Sequence, residues 1–331
     1  MSAEAPTRVF AGIDEAGLGP LLGPLTLGWS AFRAPRGAID LWSSLSEVVT
    51  RDPRQDARHI VVADSKRVFS RNPRGARRLE TTALSFLAQL DPECRAPVSA
   101  EQVITNIPTA LRLPPEALQR HPWYAALAEH LPVHRSASSL ELRSHLLRRE
   151  LEGCCVALID AGVRAVPAGE LNRSFRRTEN KAVTTWQLTA GIVQHLWNSY
   201  ATEGLELCVD RLGGRRHYAG LLGGLFPGAL IRILHESRGL AQYEVRGQER
   251  RMRVGFAERG EERSFAVALG SCLAKYGREL CMDAFNRFFE ALQPGLRPTA
   301  GYTTDGRRWL EDAREAVSRA DLPPRVLVRE R

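Results

Sequence analysis

Apolar positions near the N-terminus form short runs, and further along the chain they recur at helical spacing. In residues 8–33, Val9, Phe10, Ala11 and Ile13 lead into a turn rich in Gly and Pro, and Leu25 to Phe32 resumes the apolar run, so the segment reads as two strands. Residues 41–51 and 75–90 carry apolar positions at helical spacing, with Asp64-Ser65-Lys66 in the loop between them. From about 95 to 150 the spacing is helical but broken by Pro97, Pro108, Pro114, Pro115, Pro122 and Pro132. This stretch reads as an inserted helical segment, and its histidines (His121, His130, His134, His145) are widely spaced, as scattered surface residues are. Val156 to Asp160 and Val163 to Val166 read as strands. Ala182 to Tyr200 reads as an amphipathic helix packing through Trp186, Leu188, Ile192 and Leu196. Leu205 to Val209 is a strand ending at Asp210; further strands are expected at Leu230–Leu234, near Tyr243 and at Met252–Phe256. A long helix from about Ser264 to Leu292 follows, then a last one from about Gly306 to Arg319 before Pro323-Pro324. This order of strands and helices predicts an α/β domain without internal repeats.

A chain of 331 residues has room for one large domain or two ordinary ones. Charge changes the picture more: 46 Lys and Arg against 38 Asp and Glu leave a formal +8, which favours a polyanionic partner such as nucleic acid. The six cysteines (Cys94, Cys154, Cys155, Cys208, Cys272, Cys281) include no C-x-x-C pair and no zinc spacing, so reduced thiols in a cytosolic protein are the simplest expectation. The first residues show no basic segment leading into an apolar one, and no apolar stretch is long enough to span a bilayer. A soluble, cytoplasmic protein with no membrane partner is expected.

The chemistry concentrates in three places. Asp14 and Glu15 end the first strand, where strict alternation would send them to opposite faces; a bend permitted by Gly17 and Gly19 would let both reach one site. Paired acids at the mouth of a buried strand are costly without a cation, and a divalent metal is the commonest partner, although a polar strand end entering a turn reads the same way. Asp210 ends its strand before Arg211, Gly213, Gly214, Arg215 and Arg216, which suits metal and phosphate together, or equally a turn residue paired with Arg211. Ser271, Lys275 and Glu279 share one face of the long helix, and the plain reading of the latter two is a surface ion pair.

Taken together, these segments resemble ribonuclease HII, the type 2 ribonuclease H family. Its motif D-E-A-G-R-G-P-x-x-G-P stands here as Asp14 to Pro24, with Leu18 in the Arg place. Its D-S-K stands as Asp64-Ser65-Lys66, its strand-ending V-D as Val209-Asp210, and its G-Y-x-T as Gly301-Tyr302-Thr303-Thr304. The helix motif A-x-S-x-x-A-K-x-x-R-D is similar to Ala268 through Glu279, with the Ser one place shifted and Glu for the final Asp. The resemblance implies a ribonuclease H-like fold, with a mixed five-stranded sheet flanked by helices. The catalytic domain would span 1–292, with an inserted helical segment at about 95–165, and 293–331 would be a C-terminal helical extension.

It also implies a four-carboxylate site of Asp14, Glu15, Asp210 and Glu279 holding two Mg²⁺ or Mn²⁺ ions. Asp14 would bridge them and the other three would complete their shells. Two such ions roughly 3.5–4 Å apart activate water on one side of a phosphodiester and stabilise the leaving oxygen on the other. The implied substrate is an RNA/DNA hybrid or a ribonucleotide-containing duplex, and the products carry 3′-hydroxyl and 5′-phosphate ends. The implied substrate contacts are Gly17, Leu18, Gly19, Ser65, Lys66, Arg211, Lys275 and Tyr302. The amides of Gly17 and Gly19 would donate and Tyr302 would stack on a sugar, while Leu18 loses a phosphate-binding cation. Arginines at 173, 176 and 177, at 211, 215 and 216, and at 246, 250, 251 and 253 would form a phosphate track. Two competing readings are a non-cleaving nucleic-acid-binding protein on the same fold and a related nuclease with another nucleic-acid substrate.

Overall fold

The computed structural model describes residues 7–37, 40–113, 115–128 and 130–330; Pro114, within the proline-broken stretch, lies outside them. Among the described residues the strands are β1 (Thr7–Ala16), β2 (Leu25–Pro35), β3 (Val49–Thr50), β4 (Ile60–Val61), β5 (Ala157–Val166), β6 (Leu205–Asp210), β7 (Leu230–Glu236), β8 (Leu240–Arg246) and β9 (Arg251–Ala257). Seven form one sheet in the order β5-β2-β1-β6-β9-β8-β7, and β3 pairs with β4 apart from it. β1, β2 and β5 run antiparallel in succession, whereas β6 lies parallel to β1 and β9 parallel to β6. The expected five-stranded mixed sheet is therefore present as β5-β2-β1-β6-β9, and the antiparallel pair β7–β8 extends its edge to seven.

Five further elements matter to the site. They are α1 (Pro73–Leu87), α2 (Ala168–Thr178), α3 (Lys181–Tyr200), α4 (Phe265–Leu292) and α5 (Thr303–Asp312). Alternation along β1 sends Val9, Ala11 and Ile13 into the core shared with Ile192, Val193 and Leu196 of α3. Gly12 and Asp14 face the other layer, where α4 crosses. The helix comes close because the strands offer it almost no side chain. A Cβ at Gly12 would lie 2.1 Å from the Val267 nitrogen, and one at Gly28 would lie 2.1 Å from the Gly270 oxygen. On either side of Gly28, Thr26 donates to the Ala274 carbonyl at 2.8 Å and Ser30 to the Ala266 carbonyl at 2.9 Å. Gly28→Ala is expected to lower stability by about 3 kcal/mol, because backbone rather than a flexible side chain must move; urea denaturation measures it.

Several expected elements differ in extent. Helix 41–51 is reduced to Leu41–Ser44, since Val48, Val49 and Thr50 favour a strand and Val49–Thr50 forms β3. The two short strands at 156–166 are one continuous β5 across Gly162, so the last nine residues of the segment read as inserted, 157–165, belong to the sheet. Before them the segment is helical in pieces, including Ala100–Thr105 and Ala137–Gly153. The last helix begins at Thr303 and breaks at Ala313 into α5 and Arg314–Ala320. The long helix starts where its cap demands: Ser264 accepts from the Val267 amide. The six cysteines are free thiols. Among the described residues no helix is long and apolar enough to cross a membrane.

Candidate active site

β1 and β6 are parallel neighbours, so their carboxyl ends deliver Asp14 and Asp210 to the same edge of the sheet. Asp14 is buried, with 9% of its surface exposed. Burial is the largest cause that raises its pKa well above the usual carboxylate range, and the charges of Asp210 and Glu15 add to it. Hydrogen bonds from Ser271 and from the Glu15 amide (2.7 Å) oppose the rise. Glu15 is pushed up to about 7, again first by burial and then by Asp210, with Lys66 pulling the other way. Asp210 is raised by burial although it accepts from the Gly260 amide at 2.9 Å.

The fourth acid in this electrostatic group is Glu261. Burial raises its pKa, and the charges of Asp210 and Asp64 act in the same direction. It stands just past β9, whose Ala257 is in register with Asp210 of β6, so the chain leaving β9 passes directly beside Asp210. Glu279 lies elsewhere. It sits eight residues beyond Ser271, about 12 Å along the helix axis, and its carboxylate is bonded to Lys275. The neighbouring Arg278 packs against Gly17, where a Cβ would lie 2.3 Å from its Nε. Sequence reading missed Glu261 because an acid four residues past a strand gains meaning only once that strand is known to lie beside β6.

Beside Glu15 opens a cleft of about 670 Å³ whose lining brings together Gly17, Leu18, Gly19, Ser65, Lys66, Lys275 and Tyr302. Asp64 accepts from the Lys66 amide at 3.0 Å, capping the single turn that presents Ser65 and Lys66. The hydroxyls of Ser65 and of Ser271 on α4 are hydrogen-bonded at 3.0 Å, which pins that turn to the helix. Tyr302 is 45% exposed, with the Arg71 guanidinium 5.5 Å and that of Arg278 5.8 Å from its ring centre. Arg211 is not part of this lining. Its buried guanidinium bonds to the carbonyls of Arg215 (2.8 Å) and Arg238 and to Glu258, so it shapes the loop after β6. Of the arginine runs, Arg246 and Arg251 are paired with Glu244 and Arg176 with Glu330.

The Gly17–Gly23 loop is held from behind by the end of the chain. Arg329 is buried; its Nε donates to the Gly23 carbonyl at 2.8 Å and its Nη1 to the Gly17 carbonyl, and its own amide donates to Leu21 at 3.0 Å. Burial lowers its pKa to about 9, helped by the nearby charge of Arg278. Nothing in the sequence around Arg329 assigns it this role.

Among the described residues no set of three or more His, Cys, Asp or Glu side chains converges as a metal cage. The donors are nonetheless all carboxylate oxygens, each desolvated, with Asp210 repelling Asp14, Glu15 and Glu261. That set fits Mg²⁺ or Mn²⁺, since Mg²⁺ characteristically takes one or two carboxylates and completes its shell with water and substrate oxygens.

Comparison with protein-family models and with curated proteins finds no match. Among solved structures the chain is similar to the ribonuclease H2 of Pyrococcus horikoshii OT3, at 16% identity over 96% of this chain and 92% of that one, with a TM-score of 0.39. It is similar also to the ribonuclease HII of Archaeoglobus fulgidus, solved in a complex with PCNA, at 14% identity over 98% and 94% with a TM-score of 0.42. A third is the ribonuclease H3 of Aquifex aeolicus, at 14% identity over 96% and 70% with a TM-score of 0.40.

Proposed function

We propose that this chain is a metal-dependent endoribonuclease that hydrolyses the RNA strand of RNA/DNA hybrids, leaving 3′-hydroxyl and 5′-phosphate ends. The observation that carries the reading is that Asp14, Glu15 and Asp210 gather at the ends of two parallel strands, with Glu261 in the field of Asp210, beside a cleft lined by Glu15, Lys66 and Lys275. Carboxylates alone would repel a phosphodiester, so their gathering beside phosphate-binding cations makes sense for a site that also binds divalent cations. Mg²⁺ or Mn²⁺ held by these four acids would supply an activated water and neutralise charge on the leaving oxygen.

The chain's own groups do the rest. Lys66, exposed on its capped turn, offers a cation to the backbone phosphate beside Glu15. The half-exposed ring of Tyr302 supplies a face for a sugar. Gly17, at φ +84°, bends the chain where Arg278 leaves no room for a Cβ, and this sets the loop that faces the strand. Residues 293–331, which we assign to a helical extension of a catalytic unit at 1–292, contribute both Tyr302 and the Arg329 that holds the loop.

The test is cleavage of an end-labelled hybrid and of a duplex with one embedded ribonucleotide, each with Mg²⁺, Mn²⁺ or EDTA. Metal-dependent cutting confined to the RNA strand is expected, and the cut positions report whether junction preference survives Leu18. Binding without cutting in either metal overturns the enzyme and leaves the non-cleaving reading; cutting of DNA duplex instead points to a related nuclease. In EDTA, hybrid affinity is expected to fall steeply between 50 and 200 mM salt, by about tenfold for each few phosphates contacted, measured by fluorescence anisotropy.

A further inference from the structure

We propose that a second cavity, on the far side of the Gly17–Pro20 loop, is a nucleobase pocket that takes one unstacked base of the strand bound in the cleft. The choice of nucleic acid as ligand rests on the function proposed above. Leu18, Gly19 and Pro20 form a thin partition: they line the cleft on one side and, on the other, a cavity of about 590 Å³. A strand in the cleft therefore has only this loop between its bases and the cavity.

The lining suits a base. Leu18, Leu21, Phe175 and Leu212 supply apolar walls, and Phe175 a ring on which a planar heterocycle can stack. Arg215 stands at the same cavity and, among the described residues, is not ion-paired to a carboxylate, so it is available to the phosphate that must accompany the base; Lys181 lies over the Phe175 ring at 5.7 Å and swings aside when a base stacks on that face. The carboxylate that also lines the cavity, Glu330, is engaged by Arg176 at 3.0 Å. The buried Arg329 also lines the wall, with its guanidinium turned to the carbonyls of Gly17 and Gly23, so it holds the partition in place. Leu18 is itself 41% exposed at the lip, an apolar contact in the place where the resembled family carries a cation. A base stacked within a duplex cannot enter such a cavity, so the occupant leaves its stack, which is easiest at an unpaired or mismatched position.

The experiment walks 2-aminopurine through the strands of a hybrid bound to the full chain in EDTA. Emission is expected to rise several-fold on binding at one position, where the probe is unstacked. Ala182→Trp fills the cavity from an exposed position on α3, and it should abolish that rise and increase KM for cleavage about tenfold. Arg215→Ala leaves the cavity open and should weaken hybrid binding several-fold while the rise stays at the same position. Emission alike at every position, or a rise that survives Ala182→Trp in a folded variant, overturns the pocket. Cutting of the hybrid without any positional rise overturns the pocket and leaves the nuclease reading; a positional rise without cutting in Mg²⁺ or Mn²⁺ overturns the nuclease and leaves the pocket.

Discussion

Asp14→Asn is expected to reduce hybrid cleavage on the order of 10³-fold, the loss that removing several kcal/mol of metal-mediated charge stabilisation implies. The same change should make the metal-free protein more stable, by about 2 kcal/mol. The two effects have one cause. Asp14 is buried against the charges of Asp210 and Glu15, so its ionised form is opposed by the folded state. Asn keeps the shape and an oxygen for the Glu15 amide while removing the charge. The sign with pH follows from Glu15, raised from 4.5 to about 7. A carboxylate whose folded pKa is raised costs stability once it ionises, so metal-free stability should fall as pH climbs from about 4.5 to 7. Mg²⁺ or Mn²⁺ should reverse the fall. Thermal melts of both proteins in EDTA and in metal, beside cleavage assays, check this. An Asn variant that is less stable, and less active only in proportion to its unfolding, would make Asp14 a structural residue.

The parts of this site that were legible in the sequence are those whose meaning is local. Strands ending in acids announce Asp14, Glu15 and Asp210, because a short apolar run followed by a carboxylate and glycines describes one strand and its mouth. Asp64-Ser65-Lys66 reads as a loop between helices for the same reason, and the structure adds that Asp64 caps its one turn. What stayed hidden depends on neighbours far apart in the chain. β7 and β8 widen the sheet only because β8 pairs with β9, and the strands expected at Leu230–Leu234 and near Tyr243 carry no sign in the sequence of which edge they join. α2 went unread behind Pro167, and the helix Ala219–Leu225 because Gly220, Gly223 and Gly224 argue against any helix. Arg329 is a basic residue near the end of the sequence until its guanidinium is found on the carbonyls of Gly17 and Gly23. Arg211 differs in the opposite direction: next to a site acid it reads as a substrate contact, and its guanidinium is engaged by the carbonyls of Arg215 and of Arg238 in the β7–β8 turn and by Glu258.

Glu261→Gln against Glu279→Gln separates what the helix motif implies from what the sheet brings together. Glu261 shares the field of Asp210 at the end of two parallel strands, whereas Glu279 is bonded to Lys275 two helical turns beyond Ser271. Removing a carboxylate that helps to hold a catalytic cation should lower kcat on the order of 10²-fold or more and weaken metal binding, so that activity in Glu261→Gln recovers partly at high Mn²⁺. Glu279→Gln removes one partner of a half-buried surface pair, worth about 0.5 kcal/mol. Its metal dependence should match the parent protein, and its KM should change by a few-fold as Lys275 is released into the cleft. The checks are metal titrations of cleavage and isothermal titration with Mn²⁺ for both variants. If Glu279→Gln loses metal affinity while Glu261→Gln keeps it, the fourth ligand lies on the helix, and α4 must rotate or slide to bring it to Asp14. Equal, small effects would leave a site of three carboxylates, Asp14, Glu15 and Asp210, with substrate oxygens supplying the rest.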